Sequence, residues 1–103
     1  MKSKLIREFK SKNGQVFPKN FEFEIMVPKE LPVRAILQKG SFHAHMQSKN
    51  LHLYFEGFQE YSEEDIATAM MDGRCFSLTG EDVEPDGWDS KGFPSILLAE
   101  GLS

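Results

Sequence analysis

The sequence predicts an α+β domain: an antiparallel, meander-like sheet of about five strands, with one helix over residues 62–72 packed on one face and a short C-terminal helix. Three observations predict it. Residues 20–27 alternate apolar and polar side chains with a period of two, residues 62–73 carry a capped helical pattern, and turn residues separate further short alternating runs. A chain of 103 residues fits one domain spanning 1–103, since domains usually hold about 100 to 150 residues. Its nine Phe, two Tyr and single Trp supply a core. No stretch approaches the roughly 20 apolar residues that a membrane span requires.

From the start, SKLIREFKS alternates loosely and the Asn13-Gly14 dipeptide supplies a tight turn, so a first strand pair is expected. NFEFEIMV follows as the clearest strand, with Phe21, Phe23, Ile25 and Val27 on one face. Pro28 and Pro32 interrupt pairing after it. Residues 33–38, VRAILQ, fit a strand or a helical turn, with the strand preferred.

The stretch GSFHAHMQSKNLHLYFEG reads as a hairpin. Phe42, Ala44 and Met46 alternate with His43, His45 and Gln47, and Leu51, Leu53 and Phe55 alternate with His52, Tyr54 and Glu56. Keeping the apolar residues on one face requires a two-residue or a four-residue loop around Lys49 and Asn50. Ser62 then caps a helix whose first turn holds Glu63, Glu64 and Asp65 and which Gly73 ends, with Ile66, Ala69 and Met70 as its apolar face. CFSL at 75–78 reads as a return strand, 79–92 as an acidic loop, and FPSILLAEGLS as a short helix, with a terminal strand the alternative.

Charge is unevenly placed. Residues 1–50 hold ten Lys/Arg and four Asp/Glu, whereas 51–103 hold two and twelve, so the halves carry +6 and −10. Side-by-side strands from opposite halves would neutralise this difference, a self-complementary oligomer would use it, and a nucleic-acid surface would need the basic half alone. The net charge of −4 opposes the last reading. Lysines at 2, 4, 10, 12 and 19 suit the protection of an edge strand at least as well as phosphate contacts.

Four constellations carry the functional candidates. His43, His45 and His52, all the histidines present, meet across the expected hairpin in one of its two registers, where three imidazoles would suit zinc. On an exposed sheet face they equally form a solvated or partner-facing surface together with Tyr54. Asp82, Glu84, Asp86 and Gly87 fit the first half of an EF-hand-type calcium loop, but Asp89 and Phe93 break the second half. Trp88 either covers the core or anchors a contact. The single Cys75 suits core filling and, lacking a disulfide partner, a reducing compartment.

No G-x-S-x-G, phosphate-cradling glycine loop, H-E-x-x-H or dinucleotide fingerprint is present. The expectation is a small, soluble, cytoplasmic, non-enzymatic interaction protein without cofactors. It would self-associate, or bind another protein, through a polar sheet face or strand edge built from His43, His45, His52, Tyr54 and Trp88. Such a chain is compatible with an accessory protein of a mobile element. The alternatives are a metal-binding protein or metal-dependent enzyme using His43, His45 and His52, and a nucleic-acid-associated protein using the basic half. Neither the membrane nor nucleic acid is the favoured partner.

Overall fold

The alternation at 20–27 builds an inner strand of the sheet. In the computed structural model, which describes all 103 residues, β1 (Lys2–Lys4), β2 (Phe9–Lys10), β3 (Val16–Phe17), β4 (Glu22–Met26), β5 (Arg34–Lys39) and β6 (Phe42–Gln47) fill the first half. Four of them form an antiparallel sheet in the order β1-β4-β5-β6, while β2 and β3 pair with each other as a separate hairpin. The fold is α+β, as the pattern predicts. On β4, Phe23, Ile25 and the following Val27 are buried and Glu24 and Met26 exposed, so one face of the sheet is dry and the other wet.

Residues 51–56 do not form the expected second arm of a hairpin. At the end of β6 the Ser48 side chain is fully buried, its hydroxyl donating to the Pro32 carbonyl at 2.7 Å and its N–H to the Val33 carbonyl at 2.8 Å. These bonds curl the chain into a 3₁₀ turn, Ser48–Asn50, and then into α1 (Leu51–Tyr54). The apolar residues then follow helical spacing. Leu51 and Phe55, four apart, are buried, whereas Leu53 is 46% exposed. Phe55 ends up across the sheet from β6: it bridges Leu5, while Glu56 N–H donates to the Lys4 carbonyl and Ile6 N–H to the Tyr54 carbonyl. The true hairpin is β5–β6, closed by Gly40 and Ser41, with Gly40 at φ +57°.

In the second half α2 (Glu63–Asp72) carries the expected capping box between Ser62 and Asp65 and ends at Gly73 in the left-handed region. It packs mainly on α3 (Ile96–Glu100) and on β7 (Cys75–Phe76). Ala69 is its buried residue, and Met70, assigned above to the apolar face, is 60% exposed. β7 pairs with β8 (Asp82–Val83), not with the main sheet. The tail is the helical alternative, with Ser95 capping α3 through a bond from the Leu98 N–H at 3.1 Å and Gly101 ending it. Leu51, Phe55, Phe93, Ile96 and Ala99 share one core cluster with Phe23, Ile25, Ala35 and Leu37 of the sheet.

Because the four-stranded sheet is built entirely from residues 2–47, strands from the oppositely charged halves do not interleave. Its charges are balanced locally instead, with Lys2 facing Glu24 and Lys4 facing Glu22 across β1 and β4. Of the second half's acids, Glu56 is bonded to the β1 edge through its backbone, whereas Glu63, Glu64, Asp65 and Asp72 lie in α2 and Glu81 to Asp89 in the loop that follows β7.

The helical spacing of 51–55 makes a direct forecast. Leu51→Ala should lower the unfolding free energy by about 2 to 5 kcal/mol, as deletion of buried leucine does, whereas Leu53→Ala should change it by less than about 0.5 kcal/mol. Urea titrations of the two variants read the difference, and comparable losses would restore the hairpin.

Candidate functional site

The two edges of the sheet are treated differently by the sequence. β1 is three residues long, carries Lys2 and Lys4, and is bonded on its outer side by residues 54–56. β6 is six residues long and contains no proline, lysine or acid. Its backbone pairs with β5 alone, and none of the backbone hydrogen bonds outside the helices and ladders involves residues 42–47. Strand edges of this kind are normally shortened, charged or covered.

Ladder geometry states which groups are free. Lys39 and Phe42 face each other across the two-residue turn, which makes them a hydrogen-bonded pair, and alternate pairs from there on bond to β5. The N–H and C=O groups of His43, His45 and Gln47 therefore point away from the sheet. Their side chains lie on its wet face, all exposed, with Gln38, Ile36 and Arg34 opposite on β5. Phe42, Ala44 and Met46 turn to the other face and are only half-buried.

A groove runs along this edge. It encloses about 580 Å³, and the turn of the β2–β3 hairpin forms its far wall. Phe9, Phe42, Ala44 and Met46 give it an apolar lining, Lys10, Lys12 and Arg34 are its charged groups, and no carboxylate lines it. The hairpin is held there by ring contacts, with the Phe17 centroid 4.8 Å from Phe42 and 5.0 Å from Phe23. No protein family, no curated protein and no solved structure matches the chain. The site must stand on its own geometry.

The expected contact residues do not share one surface. His43 and His45 line the groove. His52 sits on α1 with its ring centroid 5.9 Å from that of Tyr61. Tyr54 is half-buried between Phe9, edge-on at 5.9 Å, and the Arg7 guanidinium at 5.2 Å from its ring centre. Trp88 packs against the core, bridges Pro94 through its backbone and has the Lys29 ammonium 5.5 Å from its ring. The three-histidine site depended on the hairpin that residues 48–55 do not make, and nowhere do three His, Cys, Asp or Glu side chains converge to hold a metal ion.

The acidic loop is a hydrogen-bonded structure, and its carboxylates do not converge on a calcium site. Asp89 organises it: Oδ2 accepts from the Thr79 hydroxyl at 2.6 Å, and Oδ1 accepts from the Lys91 and Phe93 N–H groups at 2.9 and 2.8 Å. Burial opposes the charge, yet the bond from the Thr79 hydroxyl, the neighbouring Ser77 hydroxyl and the two backbone N–H groups hold this carboxyl below the usual aspartate range. Glu81 is likewise lowered, by the Ser90 side chain and backbone. The Tyr61 phenol is pushed far up by burial and by the Glu100 carboxylate to which it donates at 2.5 Å, tying α3 to the segment before α2. Cys75 packs beside the core, its thiol 3.7 Å from the Phe76 carbonyl.

A depressed aspartate pKa stabilises the fold above the unfolded value of about 3.9, and the contribution is lost as pH falls through the folded value. Thermal unfolding temperature should therefore drop as pH is lowered from about 5 towards about 2, and Asp89→Asn should show a shallower drop. Melting curves of both proteins across that range decide it. Parallel profiles would mean that Asp89 carries no acid-sensitive stability.

Proposed function

We propose that this protein is a non-enzymatic binding protein that takes up an added strand on the free edge of β6, supplied by a second copy of the chain or by another protein. The single observation that carries this reading is the unpaired, uncharged, six-residue edge beside an apolar groove. Strand addition uses main-chain hydrogen bonds for affinity and alternate side-chain pockets for specificity. Both are present here: outward N–H and C=O groups at His43, His45 and Gln47, and an apolar side formed by Phe42, Ala44 and Met46.

The groove also lacks the parts of a catalyst. It holds no carboxylate and no cysteine, and its histidines stand on the wet face with Gln38 and Ile36 as cross-strand neighbours. No helix is long and apolar enough to cross a membrane. A single free thiol at Cys75 suits a reducing compartment, and we place the protein in the cytoplasm on that ground.

A proline at position 45 separates strand addition from other modes of contact. The His45 N–H faces away from β5, so the sheet loses no bond in His45→Pro, whereas an incoming strand loses a donor and meets the ring. Eight-residue peptides selected from a random library on the native protein should bind His45→Pro about tenfold more weakly, or worse. They should also protect the His43, His45 and Gln47 amides from hydrogen exchange. Peptides that bind both proteins equally, or that protect other amides, would remove strand addition from consideration. Light-scattering mass at rising concentration reads whether a second copy occupies the edge.

A further inference from the structure

We infer that the occupant of the β6 edge is an extended acidic segment of another protein, with apolar residues at alternating positions. This inference rests on the strand-addition reading and goes beyond it by naming the ligand. Its starting point is the charge of the groove: Lys10, Lys12 and Arg34 line it with no acid among them, and all three are exposed. A strand laid against β6 brings its own side chains to these cations. Alternate residues fall on the wet face, beside Arg34, His43 and His45; the others fall on the side of Phe9, Phe42, Ala44 and Met46. Complementarity therefore asks for carboxylates where the strand passes Arg34, Lys10 and Lys12, and for aliphatic or aromatic groups where it passes Phe42, Ala44 and Met46.

Two other occupants fit less well. A second copy pairing β6 with β6 would bring two sets of the same cations together with no acid on either side, and like charges opposed across an interface repel. The acidic half of a second copy does not offer a free extended strand, because β8 is two residues long and already paired with β7 and Glu56 is bonded to Lys4. Glu63, Glu64 and Asp65 lie in the first turn of α2. Residues 81–90 are folded on themselves, the Glu81 carbonyl accepting from Ser77 N–H, the Glu84 carbonyl from Gly87 N–H and the Glu81 carboxylate from Ser90. Single-stranded nucleic acid would use the same cations, but it needs open ring faces, and Phe9 is 9% exposed and Phe42 packed against Phe17.

The test uses three synthetic eight-residue peptides and a short oligothymidylate, titrated on the whole protein by calorimetry. One peptide alternates Glu and Val, one alternates Lys and Val, and one carries the Glu and Val residues of the first as two blocks. The alternating acidic peptide should bind at least about tenfold more tightly than either of the others, as several partly desolvated ion pairs and the side-chain alternation together allow. Its affinity should fall between about 0.05 M and about 0.5 M salt. The variant Lys10→Glu, Lys12→Glu, Arg34→Glu, whose three changes are all at exposed positions, should reverse the preference towards the Lys peptide.

Equal binding of the acidic and basic peptides, with both lost in His45→Pro, would overturn the acidic ligand while leaving strand addition intact. Binding of the acidic peptide that His45→Pro does not weaken would overturn strand addition and this inference with it. The inference likewise falls if no peptide binds, if the oligothymidylate binds more tightly than the acidic peptide, or if the protein dimerises through β6 in preference to taking up the peptide.

Discussion

Phe23 is the fixed point of this structure. It is fully buried on β4, and its ring lies 5.0 to 6.3 Å from those of Phe9, Phe17, Phe21, Phe42 and Phe55. Apart from Phe21, which directly precedes β4, these rings come from β2, β3, β6 and the segment after α1, so one side chain orients four other parts of the chain. Aromatic groups packed at such distances, edge-on or tilted, contribute beyond their buried area and fix relative orientation. The β2–β3 hairpin has only two residues in each strand, too few to hold a position by its own ladder. Without Phe9 and Phe17 anchored on Phe23 it would have no defined place, and the groove beside β6 would have no second wall.

The same cluster explains why β6 is left half-covered. Phe42 is reached by Phe17 and Phe23, and Ile25, Ala35 and Leu37 on the inner strands are fully buried in the same core cluster as Leu51, Ile96 and Ala99. Ala44 and Met46, on the edge strand, pack against that cluster on one side only and remain half-exposed. An edge strand whose dry face is incompletely buried still has apolar area to lose from water, at roughly 25 cal/mol for each Å² removed. The wet face and the backbone edge give it hydrogen-bonding groups on the adjoining sides. A further strand would satisfy both.

How much of this was legible depended on where local pattern and tertiary contact agree. The period-two alternation at Phe23, Ile25 and Val27 survives because that strand is buried on one side only, and the helix from Glu63 to Asp72 survives because its capping box and terminal glycine act locally. Leu51, Leu53 and Phe55 misled because three apolar residues at odd positions suit a strand as well as they suit one helical turn with an exposed member. What decided between them was the buried Ser48, bonded to Pro32 and Val33 far along the chain, and no local signal carries that. The Gly40-Ser41 turn was the missed clue: glycine followed by serine between two alternating runs is a hairpin signal, and reading it would have moved the hairpin turn nine residues upstream, between β5 and β6. The parity of His43 and His45 was legible and their separation from His52 was not. Lys10 and Lys12 could be read as cations, but their place opposite β6 follows only from the phenylalanine contacts.

An open edge strand is normally protected from its own copies, and on the strand-addition reading proposed above the arrangement of charge would supply that protection. On β1 that protection is direct, through two lysines and the backbone of residues 54–56. On β6 the strand itself is neutral, and the cations stand next to it, on the hairpin turn and at Arg34. Charges placed in the strand would repel every incoming chain of like sign along its whole length. Charges placed beside it leave the hydrogen-bonding groups free and bias the choice of strand by sign, repelling a second basic edge while attracting an acidic one. On the same reading, the segregation of positive residues into the first half of the chain and negative residues into the second would serve the same end. Nine of the twelve acids of the second half are held in α2 and in the loop organised by Asp89, where they are not free to extend along the groove.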